Sequence, residues 1–168
     1  GAARVLILVG GREQEASGGL QQAVALCETI LQGLGYGDDR LAVLDESDPD
    51  GLAAVLWREA APLPPADFVA AGSKRERLGL ALAYLHKNAP QSVDIMELSP
   101  GAPFGAIGVN VEKCTLCLSC VAACPSGALS SHPERPQLAL TEALCIQCGL
   151  CRTTCPEDAV ALAPRLLF

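Results

Sequence analysis

The chain has little positive charge: 12 Lys and Arg stand against 19 Asp and Glu, a formal net charge of −7 over 168 residues. Nucleic-acid recognition asks for a basic stripe, so that class of partner is excluded. Long apolar runs are missing as well. No stretch of about 18 apolar residues occurs, so no segment reads as a membrane-spanning helix. Val5 to Val9 is apolar but meets Gly10-Gly11-Arg12-Glu13 at once, which is too short for a secretory signal core. Histidine is scarce. His86 and His132 stand apart, with no companions at ligand spacing, and read as surface residues. Aromatics are few, and Trp57 and Tyr84 fall at apolar helix positions, where packing is expected rather than stacking on a cofactor. No nucleophile with a base, no paired carboxylates and no phosphate loop can be found, so the chain by itself is read as no enzyme.

What the chain does have is cysteine in a pattern. Eight of its nine cysteines form two copies of CxxCxxCxxxCP: Cys114, Cys117, Cys120 and Cys124 before Pro125, and Cys145, Cys148, Cys151 and Cys155 before Pro156. Three thiols two residues apart on a tight loop can wrap one cluster while their backbone N–H groups point at its sulfides. The fourth opens a short helix away from the loop, and the proline after it redirects the chain. Zinc sites use separated CxxC pairs, so a third cysteine at the same interval, repeated in full, speaks against a structural zinc ion. A disulfide scaffold would hold far more cysteine and a secretory signal, which points to a reducing, cytoplasmic setting. The ninth cysteine, Cys27, lies on the apolar side of a helical pattern and is expected in a core.

All eight motif cysteines follow residue 113, which divides the chain into residues 1–99 and 105–168 around a linker crowded with Pro100, Gly101, Pro103 and Gly105. The fold expected is an α/β N-terminal domain, a small parallel sheet with helices, followed by an α+β domain that, by its cysteine repeat, resembles a ferredoxin-like dicluster domain. In the first, Arg4 to Val9 reads as a buried parallel strand, and Leu20 to Leu34 as a helix capped by Gly35. Arg40 to Leu44 is a second strand, and a helix starts at Asp48-Pro49 and runs to about Arg58. Phe68 to Ala71 is a third strand, Ser73 with Glu76 makes a capping box for the next helix, and Val93 to Leu98 closes the sheet. Gly10 to Gly19 joins strand to helix as the backbone of a phosphate site would, but has neither the lysine of a phosphate loop nor the glycine intervals of a dinucleotide site. A plain connection is expected there.

In the second domain a period of 31 residues sets Cys124-Pro125-Ser126-Gly127-Ala128-Leu129 against Cys155-Pro156-Glu157-Asp158-Ala159-Val160. Ile107 to Val111 and Ala159 to Leu162 are expected as outer strands, with Leu129 and Leu138 to Leu140 as the inner pair. Leu116, Leu118, Val121, Ile146 and Leu150 are expected to shield the centres from water, and Lys113 and Arg152 are cations beside ligand positions.

From about Gly105 onward the chain resembles the bacterial-type dicluster ferredoxins, with both eight-residue patterns and both CP endings intact. That resemblance implies two [4Fe-4S] clusters and crossed ligation: Cys114, Cys117, Cys120 and Cys155 on one, and Cys145, Cys148, Cys151 and Cys124 on the other. Residues 1–60, through their order of strand, Gly-rich loop and helix, are similar to the later half of the small iron–sulfur subunit of methyl-viologen-reducing hydrogenases. That family carries cysteines for a two-iron cluster in and before this loop, whereas Gly10 to Gly19 has none. The fused arrangement also resembles the tail of iron–sulfur proteins associated with formate dehydrogenase. The implied function is electron transfer between redox partner proteins of a formate dehydrogenase or hydrogenase-type system, with the first domain docking or scaffolding. The likeness further implies the C-terminal portion of a longer polypeptide, with Gly1 a cloning remnant and an open sheet edge able to pair with another copy. Two rival readings stand beside it: a fragment whose first domain binds flavin or nucleotide, and a zinc-stabilised interaction module.

Overall fold

The structure, a computed structural model, describes residues 3–9, 17–38, 40–45, 49–58 and 61–168. It divides into two compact units, 1–93 and 94–168.

In the first unit the apolar run β1 (Val5–Val9) pairs in parallel with β2 (Leu41–Asp45), Val5 opposite Leu41, and α1 (Ser17–Gly33) forms the connection. The helix ends as its Gly35 predicts. Gly35 takes φ 79°, its N–H donates to the Gln32 carbonyl, and the Tyr36 N–H donates to Leu31. These two bonds close a Schellman motif, which tucks Tyr36 inward. Ile30, Leu34, Tyr36 and Leu82 form the buried centre, and the Tyr36 hydroxyl donates to the Leu85 carbonyl at 2.7 Å. Arg40 then ties the entry of β2 to three carbonyls, those of Ala3, Tyr36 and Ala61. Two more helices follow, α2 (Pro49–Leu56) and α3 (Lys74–Lys87). At α3 the Ser73 side chain accepts from the Glu76 N–H while the Glu76 carboxylate accepts from the Ser73 N–H, the capping box expected. Tyr84 packs as expected, its ring 6.0 Å from that of Phe68.

Several expectations for this unit are corrected. Residues 68–71 form no strand, so the parallel sheet has two strands among the described residues. Cys27 is exposed although it shares a helix face with Ile30 and Leu34, because burial on α1 is concentrated at its C-terminal end. Trp57 follows the end of α2 and is 85% exposed, so it does not pack. His86, expected at the surface, is half-buried on α3, while His132 is exposed. The glycine-rich segment 10–16 and the helix start at Asp48 lie outside the described residues.

The strand expected to close the first sheet belongs to the second unit. There β3 (Ile95–Glu97) pairs antiparallel with the last strand, β7 (Val160–Leu167), whose other neighbour is β4 (Gly105–Val109). Met96 is buried between Ile95 and Glu97, which are exposed, and that alternation suits an antiparallel edge strand rather than a parallel strand covered on both faces. Pro164 sits where β7 changes partner, from β4 to β3, so its missing N–H interrupts neither ladder. Between β4 and β7 the chain forms α4 (Ser119–Ala122), the hairpin of β5 (Leu129–Ser131) with β6 (Leu138–Leu140), a 3-10 turn (Glu142–Leu144) and α5 (Leu150–Thr153). The outer pair, β4 with β7, and the inner pair, β5 with β6, lie where the repeat puts them. β4 begins and ends two residues before the expected span, leaving Val111 82% exposed in the turn after it.

Candidate functional site

The two cysteine loops follow one backbone path. Leu116 (φ 55°) and Leu118 (φ 60°) in the first match Gln147 (φ 53°) and Gly149 (φ 81°) in the second, and Gly127 (φ 66°) matches Asp158 (φ 49°). Left-handed conformations cost a non-glycine residue about 1–3 kcal/mol. Holding them at Leu116, Leu118, Gln147 and Asp158 therefore takes a compensating gain. Left-handed residues alternating with ordinary ones are the backbone pattern that turns successive N–H groups to one side, an anion-binding arrangement.

Each loop is anchored at its start. Asn110 Oδ1 accepts from the N–H groups of Glu112 (3.0 Å) and Lys113 (3.2 Å), its carbonyl accepts from the Cys114 N–H, and its own N–H donates to the Ala159 carbonyl just before β7. In the second loop the Cys145 N–H donates to the Glu142 carbonyl at 2.9 Å. The Glu142 carboxylate in turn accepts both Arg165 Nε (2.9 Å) and Nη2 (2.8 Å), a bidentate pair fixing this turn to β7.

Two cavities lie along these loops. The first is lined by Cys114, Cys117, Cys120 and Cys155, with Leu116, Leu118, Leu138 and Val160 as apolar walls and Glu157 at its side. The second is lined by Cys124, Cys145, Cys148 and Cys151, with Ile107, Leu129, Leu140, Ile146 and Leu162 around them. The fold thus brings together all eight motif cysteines in two groups of four, each made of three thiols from one loop and the fourth from the other. Among the described residues no three His, Cys, Asp or Glu side chains converge tightly enough to hold one metal ion. The sulfurs of a tetrahedral zinc site would stand about 3.8 Å apart, given Zn–S bonds of about 2.3 Å. A four-iron cube instead presents four separate iron corners, and four thiols spaced around a concavity fit that donor set.

The shielding differs from expectation. Leu116, Leu118 and Ile146 do line the cavities, but Val121 and Leu150 do not, and strand residues such as Val160 and Leu162 supply much of the cover. Lys113 and Arg152 are exposed.

The thiols are not equivalent. Cys117, which is exposed, is held below its ordinary pKa by the hydroxyl and backbone of Ser119. Burial pushes the Cys120 and Cys151 thiols up. Burial also pushes Cys124 up, but the backbone of Leu129 and Ala128 with the Ser126 hydroxyl outweighs it and leaves the thiol below its ordinary value. Metal binding deprotonates all such thiols, so donors already facing a sulfur prepare it as a ligand. Sequence reasoning missed Asn110, Ser119, Ser126, Gln147 and Glu157. The signal for three of them was present: Gln147 falls opposite Leu116, and Ser126 opposite Glu157, when the repeat is aligned on its 31-residue period.

Residues 113–159 match the family described as the 4Fe-4S dicluster domain. The second unit thus carries an iron–sulfur domain of the class that binds two [4Fe-4S] clusters. The chain is also similar to NADH-quinone oxidoreductase subunit I 2 of Streptomyces coelicolor, 32% identical over 82 residues, covering 38% of this chain and 42% of that protein. It therefore spans less than half the length of the curated relative it matches. Among the described residues no helix is long and apolar enough to cross a membrane. An iron–sulfur domain of this class supports electron transfer.

Proposed function

We propose that the second unit passes single electrons between redox partner proteins through two clusters held by crossed ligation. Cys114, Cys117, Cys120 and Cys155 hold one, and Cys145, Cys148, Cys151 and Cys124 hold the other. The observation that supports this most is the composition of the two cavities, each walled by three thiols of one loop and one of its repeat mate. When bound, a [4Fe-4S] cluster supplies a site for one electron at low potential. The chain's own part is to present four thiolates, aim backbone and hydroxyl donors at them, and limit water with Leu116, Leu138, Leu140 and Val160. Exposed Cys117 and Cys148 mark the sides on which partners approach.

The module serves a larger oxidoreductase in the cytoplasm, where thiols stay reduced. Its partners are a formate dehydrogenase, a hydrogenase-type enzyme or a quinone-reducing complex such as the relative's name denotes. Residues 1–99 dock or scaffold, and residues 105–168 form the ferredoxin domain, with β3 and the linker leading into it.

Crossed ligation is tested with Cys155→Ala in protein purified without oxygen. The cluster of the Cys114 loop is expected to be lost, leaving about four iron per chain and the spectrum of one centre. Loss confined to the cluster of neighbouring Cys151 would overturn the pairing.

A further inference from the structure

The two loops match in backbone and differ in the side chains that face their thiols. Gln147 donates its amide nitrogen to the Ala106 carbonyl at 2.7 Å and to Cys145 Sγ at 3.4 Å. Its repeat mate is Leu116, which has no polar atom to offer. The orientation of the amide is dictated by its surroundings. The Ala106 carbonyl and a deprotonated Cys145 both accept, so the nitrogen must face them and the oxygen must point away. That oxygen is buried with no hydrogen-bond partner, which carries a desolvation penalty that a leucine would avoid. Gly105 leaves room for both the Ala163 carbonyl of β7 and the amide: a Cβ there would meet that carbonyl first and would stand 2.7 Å from both Cδ and Nε2 of Gln147. A side chain that costs stability, packs against a glycine, and aims an N–H at a thiol has a role other than filling volume.

We propose that Gln147 is a positioning residue that tunes reduction potential, and that its N–H to Cys145 makes the centre at the second cavity the more easily reduced of the two. This rests on the two-cluster reading given above. Reduction adds negative charge that is shared with the ligand sulfurs, so a donor aimed at one of them favours the reduced state and raises the potential. The first cavity has the opposite influence. Glu157 lines it, and a carboxylate there opposes an added electron, whereas its repeat mate at the second cavity is the hydroxyl of Ser126.

The remaining donors are divided between the two centres. Ser119 meets Cys117 at 3.5 Å and Ser126 meets Cys124 at 3.6 Å, and Thr115 adds a second hydroxyl at Cys117 where its repeat mate Ile146 has none, a contribution on the side of the first centre that the Gln147 N–H must outweigh. The Ala159 N–H donates to Cys155 Sγ at 3.3 Å, and the backbone of Ala128 and Leu129 does the same for Cys124. Burial of Cys145, at 8% exposure, lowers the potential of its centre, and the Gln147 N–H counters that effect at the same sulfur.

The test is a potentiometric titration followed by electron paramagnetic resonance on the full chain, purified without oxygen, as wild type, Q147L and Q147E. Q147L places the first loop's residue in the second. Q147E keeps the shape but has no donor. In wild type the two centres are expected to titrate apart. In Q147L the higher-potential centre is expected to fall by about tenfold in its one-electron equilibrium constant, about 59 mV, with the other unmoved. Q147E is expected to shift the same centre further. Two intact clusters whose potentials ignore both substitutions, or move together, would overturn the tuning role alone. Protein without acid-labile sulfide would overturn the two-cluster reading and this proposal with it.

Discussion

The first unit is held by a few apolar side chains and backbone caps, whereas the second spreads its burial around the thiols. Among the described residues, Ile30, Leu34, Tyr36 and Leu82 are the buried apolar groups of residues 1–93, and Leu34 is wholly enclosed. In residues 94–168 the buried set is Met96, Leu98, Ala102, Phe104, Ala106, Ala128, Leu129, Cys145, Ala159, Val160 and Leu166, four of them alanines. Small residues bury little apolar area each, about 25 cal/mol for every Å². The second unit therefore depends on what its thiols bind, while the first depends on its own core.

Removing iron is the strongest way to break that comparison. Chelation under reducing conditions is expected to abolish amide protection through β4, β7 and the α4 and α5 turns, because cluster binding supplies folding free energy. Protection in α1 and α3 should persist. Hydrogen exchange read by mass spectrometry checks this, and equal loss in both units would mean that they fold as one.

The converse experiment strikes the first unit. Leu34→Ala leaves a void in its most enclosed position and is expected to cost about 2–5 kcal/mol. Urea unfolding followed by helix signal should show the loss while the visible absorbance of the clusters stays unchanged.

A smaller effect is expected at the capping box. Ser73→Ala should cost about 1 kcal/mol of α3 stability. The Ser73 N–H and hydroxyl hold the Glu76 carboxyl below its ordinary pKa. A depressed carboxyl contributes stability that is present above the ordinary value and lost as pH falls through the folded one. Acidification is therefore expected to fray the start of α3 in wild type, and the acid sensitivity should diminish in Ser73→Ala, as read from amide exchange at residues 74–77.

The contrast between the units also explains how much could be read in the chain. The cysteine repeat demands particular residues at fixed intervals, so both loops, the inner hairpin and the outer pair of strands were legible. The capping box at Ser73 and the helix stop at Gly35 were legible for the same reason, since each needs one residue type at one place. Short apolar runs make no such demand. Phe68 to Ala71 had strand-like composition but no partner, and Ile95 to Glu97 found its partner about 70 residues away on β7, a pairing that local pattern does not encode. Cys27 lies on α1 and Trp57 just past the end of α2, and their exposure depends on where those helices meet the rest of the unit. Gln147 reads as an ordinary polar residue until its repeat mate, Leu116, is set beside it.

The central claim, that eight thiols of the second unit hold two four-iron clusters, is tested most directly by measuring iron, acid-labile sulfide and zinc per chain in protein purified without oxygen. About eight iron and eight sulfide, with no zinc, is the expected result; zinc with no sulfide would contradict it.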